Sequence, residues 1–299
     1  MSRALVSGGT GFVGRFIVEG LLSAGYTVTI GSRTPPPPDF FSRPVGYLPL
    51  GLDPALDQQA AFAGIDHFVH AAFEHIEGRY RGGEGDDPAG FVRANLQGTA
   101  RLFQEACSSS VRRCVFLSSR AVYGTPLENA AALEETTPVH PDTLYGIIKL
   151  SAEEELRALA RPGFVTTSLR ITGVYGAAGN GKRHKWQDLF KDYLADRPVA
   201  PRVGTEVHGQ DVAYAVRAVL ESDPRTVDGE VFNVSDLIVD RRDLLGIVRE
   251  VTGCPHALPD AAALVPGSEM ATAKLRELGW QPGGWPLLER TVCEFLPQQ

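Results

Sequence analysis

The sequence predicts a doubly wound α/β fold: a parallel sheet with helices on both faces, followed by a smaller, mixed C-terminal unit. Short apolar, β-branched runs alternate with helical stretches through most of the first 175 residues. That order calls for parallel strands joined by helical crossovers. The first run leads straight into a glycine-rich turn and then an amphipathic helix. Beyond residue 175 the alternation loosens into helices separated by short extended pieces.

Strands are expected at residues 4–7, 27–30, 45–50, 67–70, 114–117 and 165–169, with helices at 12–23, 54–63, 88–107 and 143–159. Later helices are expected at 186–195, 211–222, 241–252, 268–278 and 286–295, with an extended piece at 231–234. Residues 1–175 thus read as one large unit. Residues 176–299 read mainly as a cap over a ligand, with segments at about 207–235 returning to the large unit. Pro35–Pro38 forms a rigid extended loop after the second strand. The segment 77–90, rich in Gly, Asp and Arg, reads as a surface loop, and Arg79 and Arg81 within it are candidates to line a substrate pocket.

Composition excludes several classes. The chain has 299 residues, 43% hydrophobic and 22% charged, with a net charge of -7. That balance is ordinary for a globular protein, and an acidic surface disfavours binding to nucleic acid or an anionic membrane. No run of about 18 apolar residues is present to span a bilayer. Met1-Ser2-Arg3 passes directly into Ala4-Leu5-Val6 without a secretory pattern, so a cytoplasmic location is expected. Cys107, Cys114, Cys254 and Cys293 lack CxxC spacing and are expected to be buried, reduced thiols. No acid–histidine cluster has metal-ligand spacing.

The glycine turn carries the first chemistry. Gly8-Gly9-Thr10-Gly11-Phe12-Val13-Gly14 has GxxGxxG spacing between a strand and a helix. Gly8 allows a sharp exit from the strand, Gly11 lets backbone approach a pyrophosphate, and Gly14 lets the helix pack close to the strand. The helix N-terminus offers unpaired N–H groups and the positive end of a dipole. Together with a second strand downstream, this predicts a Rossmann-type dinucleotide site. An acid at the end of that second strand would favour NAD. Ser32 and Arg33 stand there instead, suited to a 2′-phosphate, so NADP is favoured. The alternative is NAD, with Arg33 merely solvated.

The second chemistry is a tyrosine and a lysine at i and i+4, Tyr145 and Lys149, on one helix face. A phenol with a pKa of about 10 is a poor base, and lowering it by about three pH units needs about 4 kcal/mol. A neighbouring ammonium and a positively charged nicotinamide both favour the phenolate. Tyr145 would then exchange a proton with a substrate hydroxyl or carbonyl. Val115-Phe116-Leu117-Ser118-Ser119 is an apolar strand ending in two hydroxyls. Ser119 is expected on the same substrate oxygen.

The sequence resembles the extended short-chain dehydrogenase/reductase superfamily, the group of NAD(P)-dependent epimerases and dehydratases. The resemblance rests on the glycine turn, His70-Ala71-Ala72, Asn95-Leu96-Gln97-Gly98-Thr99, Ser118-Ser119-Arg120-Ala121-Val122-Tyr123-Gly124, Tyr145-x3-Lys149, Leu169-Arg170-Ile171-Thr172-Gly173-Val174-Tyr175-Gly176 and His208-Gly209-Gln210-Asp211-Val212-Ala213. It implies that Ser119, Tyr145 and Lys149 are catalytic. It further implies that Gly8, Gly11, Phe12, Val13, Ala71, Ala72, Asn95 and Ser118, with Tyr145 and Lys149, line the cofactor, Ser32 and Arg33 joining them on the residue argument above. Lys149 would also hold the nicotinamide ribose. For Asn95, a structural tie between helix and strand is the competing role. The resemblance also suggests a homodimer.

The pattern departs in places. Arg120 and Ala121 stand where dehydratases of this group carry an acid pair, which argues against elimination. Gly173 replaces a common asparagine, and Gly204-Thr205-Glu206-Val207 precedes the His208 motif where an arginine is common. Both weaken the case for a nucleotide-diphosphate sugar. Asp53 is not assigned to adenine. The basic run Lys182-Arg183-His184-Lys185 is a candidate to meet a substrate anion, whereas His208 and Asp211 read as helix-capping and orienting residues. The expected activity is an NAD(P)-dependent oxidoreductase passing hydride to or from a small polar, sugar-like substrate. A sugar epimerase without net redox change is the alternative, and a non-catalytic dinucleotide sensor is a further one.

Overall fold

The computed structural model describes residues 2–76, 82–126, 131–177, 179 and 183–296. Its centre is a seven-stranded, wholly parallel sheet. The strands are β1 (Arg3–Ser7), β2 (Thr27–Ser32), β3 (Gly46–Pro49), β4 (His67–His70), β5 (Arg113–Ser119), β6 (Val165–Ile171) and β9 (Glu230–Val234), in the spatial order β3-β2-β1-β4-β5-β6-β9. The order reverses between β1 and β4, and ligands bind beyond the carboxyl ends of strands at such a switch point. Ala4, Leu5 and Val6 are fully buried, as a strand covered on both faces requires.

Helix α1 (Phe12–Ser23) lies on one face beside α6 (Gly209–Glu221). Ala4 and Val6 meet Ile17, Val18 and Val216 there. The two helices approach closely at Gly20, where an added Cβ would sit 2.8 Å from that of Ala213. On the other face Leu5, Phe68 and Phe116 pack against α3 (Thr99–Cys107) and α4 (Leu144–Ala158). Thr143 caps α4, its hydroxyl accepting the Gly146 N–H at 3.1 Å.

A second, smaller sheet is formed by β10 (Leu237–Asp240), β8 (Val203–His208) and β7 (Gly173–Tyr175), in that order. Helices α5 (Gln187–Leu194), α8 (Arg241–Thr252) and α10 (Gly284–Phe295) cover it around Tyr175, Trp186, Phe190 and Leu245. The short helices α7 (Pro224–Val227) and α9 (Ala273–Glu277) flank β9.

Three expectations need correction. Residues 54–63 form only a 3₁₀ turn at Gln59–Phe62. Asp53 and Asp57 accept the N–H groups of Ala55 and Gln59 at 3.0 and 3.2 Å, local bonds that compete with a helix. The expected helix 268–278 is shortened to α9 because residues 269–271 pair with Leu133 as a bridge. Cys107 and Cys114 are buried, but Cys254 is half-buried and Cys293 is exposed on α10. The expected helix 88–107 is continuous, built as α2 (Pro88–Val92), a π-turn (Arg93–Gly98) and α3. Among the described residues no helix is long and apolar enough to cross a membrane.

Candidate active site

The glycine turn sits at the carboxyl end of β1. Gly8 has a φ of +68°, and a Cβ there would lie 2.7 Å from the backbone of Ala72. Small residues at 71 and 72 thus let β4's extension run against the turn, with Ala71 N–H donating to Ser7 O at 3.2 Å. A Cβ on Gly14 would come within 2.1 Å of Gly8 O, so α1 starts hard against the strand exit. At Gly11 an added Cβ would meet, among the described residues, only Gly8 O, at 3.1 Å. Among the described residues no side chain caps the start of α1, and no acid lies in its first turn. The N–H groups of Phe12 and Val13 are therefore in the state that suits a pyrophosphate.

Ser32 and Arg33 stand at the end of β2 as expected. The Ser32 hydroxyl donates to Thr34 O at 2.7 Å, and Arg33, 77% exposed, pairs with Glu74 at 3.3 Å. Glu74 follows β4, so the guanidinium bridges the mouth of the crevice between two strand ends. Asn95 sits in the π-turn. Its amide donates to Glu74 O at 2.8 Å and Phe91 O at 3.1 Å, and its oxygen accepts the Glu74 N–H at 2.7 Å. It ties helix to strand end, the competing role raised from the sequence. A π-turn often marks a functional position.

Helix α4 brings the tyrosine–lysine pair to the crevice. Gly146 permits the approach, since a Cβ there would lie 2.5 Å from Ala121 O in the turn after β5. Lys149 Nζ donates to Leu117 O at 2.7 Å and lies over three rings, 4.5 Å from Phe73, 4.7 Å from Phe116 and 5.8 Å from Tyr145. Burial pushes its pKa down to about 7, opposed by Glu153 one turn further on. The Tyr145 ring meets Phe73 edge to face at 5.0 Å. Phe73 lies just past β4 and shapes the wall behind both groups. Nothing in the sequence marked it beyond its place after His70-Ala71-Ala72. Ser119 Oγ accepts the Ala121 N–H at 3.1 Å, fixing the hydroxyl at the start of the turn that faces α4.

Ser118 turns the other way, its hydroxyl donating to Glu153. Glu153 also binds Arg170 through both oxygens, at 3.1 and 2.8 Å, with side chains only 5% and 7% exposed. Arg170 donates to Tyr123 OH at 3.1 Å, and Tyr123 donates to Asn233 Oδ1 at 2.7 Å. This buried chain fastens α4 to β5, β6 and β9 beneath the site. Sequence reasoning gave no role to Glu153 or Asn233. On the opposite side His70 bridges Ser7 at 2.7 Å and Thr99 at 3.0 Å, and burial pushes its pKa down to about 3, so the ring is neutral.

On the cap side the basic run is dispersed. Arg183 pairs with Asp188, Lys185 pairs with Glu206, and His184 stacks on Phe295 at 3.9 Å. Lys182, Arg79 and Arg81 lie outside the described residues. Burial raises the Glu206 carboxyl above its usual range, against the opposing pull of Lys185. Asp53 is engaged with Arg93 at 3.0 Å. His208 caps α6, its ring accepting the Gln210 N–H at 3.1 Å. Asp211 orients the 280s by accepting the Gly283 N–H at 3.1 Å.

Known proteins match this architecture. Residues 4–235 match the NAD dependent epimerase/dehydratase family. The UDP-glucose 4-epimerase of Corynebacterium glutamicum is 27% identical, over 98% of this chain and 94% of that protein. A 3-beta-hydroxysteroid dehydrogenase of Mycolicibacterium neoaurum is 31% identical over 65% of this chain and 53% of its own length. The structure described as MoeE5 in complex with UDP-glucose and NAD superposes with a TM-score of 0.78, at 23% identity, over 98% of each chain. An uncapped helix behind a glycine turn, a tyrosine–lysine face and a family match across most of the chain converge: the protein belongs to the NAD-dependent epimerase/dehydratase family and is an NAD(P)-dependent enzyme of the extended short-chain dehydrogenase/reductase type.

Proposed function

We propose that the protein is an NADP-dependent oxidoreductase acting on a hydroxyl or carbonyl of a small, sugar-like substrate, with Tyr145 as the general acid–base. The observation that carries this is Lys149 held by Leu117 O within 5.8 Å of the Tyr145 ring centroid. When bound, a nicotinamide cofactor supplies the hydride donor or acceptor. The protonated Lys149 stabilises the Tyr145 phenolate and offers its remaining N–H donors to a ribose. Tyr145 takes a proton from the substrate hydroxyl in oxidation and returns one to the carbonyl in reduction. Ser119 donates to the same oxygen as charge develops.

Gly8, Gly11, Phe12 and Val13 receive the pyrophosphate, and Ala71 and Ala72 leave room beside it. Asn95 shapes that wall through Glu74. The Ser118 side chain is engaged by Glu153, so only its backbone is left to face the cofactor. Arg33 favours NADP over NAD, since a guanidinium can pair with a 2′-phosphate. Residues 1–175 serve as the dinucleotide-binding unit. Residues 176–299 serve mainly as the cap, with about 207–235 belonging to the large unit, as β9's pairing with β6 supports.

The same groups suit epimerisation, in which oxidation and reduction follow one another in a single turnover. The Corynebacterium relative's name favours that second reading and the Mycolicibacterium relative's the first. NADPH absorbance separates them, because only the oxidoreductase consumes cofactor stoichiometrically. Tyr145→Phe is expected to lower turnover by about 10²–10⁴. Undiminished turnover would remove Tyr145 from the chemistry.

A further inference from the structure

One aromatic ring lies against both the buried Lys149 ammonium and the Tyr145 ring. Glu153 favours the lysine charge from one turn further along α4, but both of its oxygens are held by Ser118 and Arg170. The ammonium itself meets Leu117 O at 2.7 Å and the faces of Phe73 and Phe116, whose centroids lie 4.5 and 4.7 Å from Nζ. A ring face is the negative side of its quadrupole, so both rings present the favourable side to a cation. Phe116 belongs to the buried core of β5. Phe73 lies past β4, is half-buried, and also meets the Tyr145 ring at 5.0 Å with the planes at 82°. Its own orientation is set from outside the pair. Phe91 of α2 packs edge to face against it at 5.5 Å, and the next residue, Glu74, is tied through both its N–H and its C=O to Asn95.

We propose that Phe73 is a positioning residue for the proton transfer: its face keeps the buried Lys149 ammonium charged, and its contact with Tyr145 holds the phenol ring beside that charge. The proposal rests on the Tyr145–Lys149 reading above. Burial favours the neutral amine, and a neutral amine does nothing to favour a phenolate. Leucine at position 73 would fill much of the same space without a quadrupole, so more of the lysine would be neutral at neutral pH. The other titratable groups nearby do not replace the ring. His70, stacked behind Phe116, is neutral, Glu74 pairs with Arg33, and Arg170 is bound to Glu153 and Tyr123. Arg120, in the turn facing α4, donates to Ser268 O at 3.4 Å, and the His75 ring stands 6.1 Å from that of Phe73.

The test is an NMR pH titration of the cofactor-free protein carrying isotope-labelled lysine. The chain has five lysines, Lys149, Lys182, Lys185, Lys191 and Lys274, and the Lys149 signal is the one lost in Lys149→Met. In wild type it should titrate at about 7. Phe73→Leu should lower that midpoint by about one pH unit or more, a tenfold change in the proton equilibrium. Phe73→Tyr, which keeps the ring face, should restore it. Loosened packing alone would admit water and move the midpoint up, toward the ordinary lysine value, so the direction separates an electrostatic role from a merely structural one. An unchanged or raised midpoint in a folded Phe73→Leu protein overturns the proposal. Should that variant not fold, wild type decides. Ring currents shift a methylene beside an ammonium under ring faces upfield, and a Lys149 Hε signal at the position of the other four overturns the proposal. Undiminished turnover by Tyr145→Phe strikes the catalytic reading and leaves this titration unmoved, so the two failures are distinct.

Discussion

Replacing Lys149 with methionine removes a cation whose burial leaves a signature in the pH dependence of stability. The ordinary lysine value is 10.5, and in the folded chain burial lowers it to about 7. Below pH 7 both folded and unfolded chains hold the proton, and the folded state bears the full cost of an ammonium 4% exposed, on the order of 5 kcal/mol. Between about pH 7 and 10 the unfolded chain binds more protons here than the folded one, so stability rises with pH. From pH 6 to pH 9 wild type should gain about 2–3 kcal/mol relative to Lys149→Met. The unpaired Leu117 carbonyl in the variant adds a constant offset that cancels from this difference. His70, at about 3, titrates below the window. Urea denaturation of the cofactor-free proteins at both pH values reads the quantity directly. Parallel pH curves for the two proteins would refute the claim that Lys149 sits desolvated against Leu117.

Other outcomes follow from individual contacts. Arg33→Ala should weaken NADPH binding by about 10–100-fold, the loss of a charged hydrogen bond, and leave NADH nearly unchanged; fluorescence titration with both cofactors checks this. Glu74→Gln releases Arg33 from its 3.3 Å pairing and should tighten NADPH in the same assay. Glu153→Gln breaks the buried pair with Arg170 and should cost about 3–5 kcal/mol in chemical denaturation. Gly98→Ala drives a Cβ to 1.9 Å from Leu52 O and should lower stability by about 2 kcal/mol or more, read from the thermal midpoint.

What the sequence shows well is what neighbouring residues decide. Helix α1 follows from an apolar stripe behind a glycine turn, and β4 from four residues buried on both faces. Tyr145 and Lys149 are legible because helical spacing alone puts them on one face. Residues 54–63 do not form the expected helix because aspartate side chains at 53 and 57 bond the local backbone, a contest that apolar periodicity does not register. Phe73, Glu153 and Asn233 escaped for a different reason. Each is an ordinary residue of its type until the sheet brings it beside α4, Arg170 or Tyr123, and those partners are 17 to 110 positions away in the pairs that define the buried chain. The ion pair of Lys185 with Glu206 likewise joins segments 21 residues apart and was read as two unrelated charges.

The π-turn at Arg93–Gly98 also fixes a phase. Such a turn holds one residue more than a regular helical one, and each residue advances the helix by about 100°. Residues upstream and downstream of it are thus rotated against each other relative to an unbroken helix. Asn95 is directed at Glu74 while Leu102, Phe103 and Ala106 remain directed at the sheet. Deleting one residue inside this turn would let the helix close regularly and force a choice between the two orientations, because the core and the crevice wall could no longer be served by the same rod.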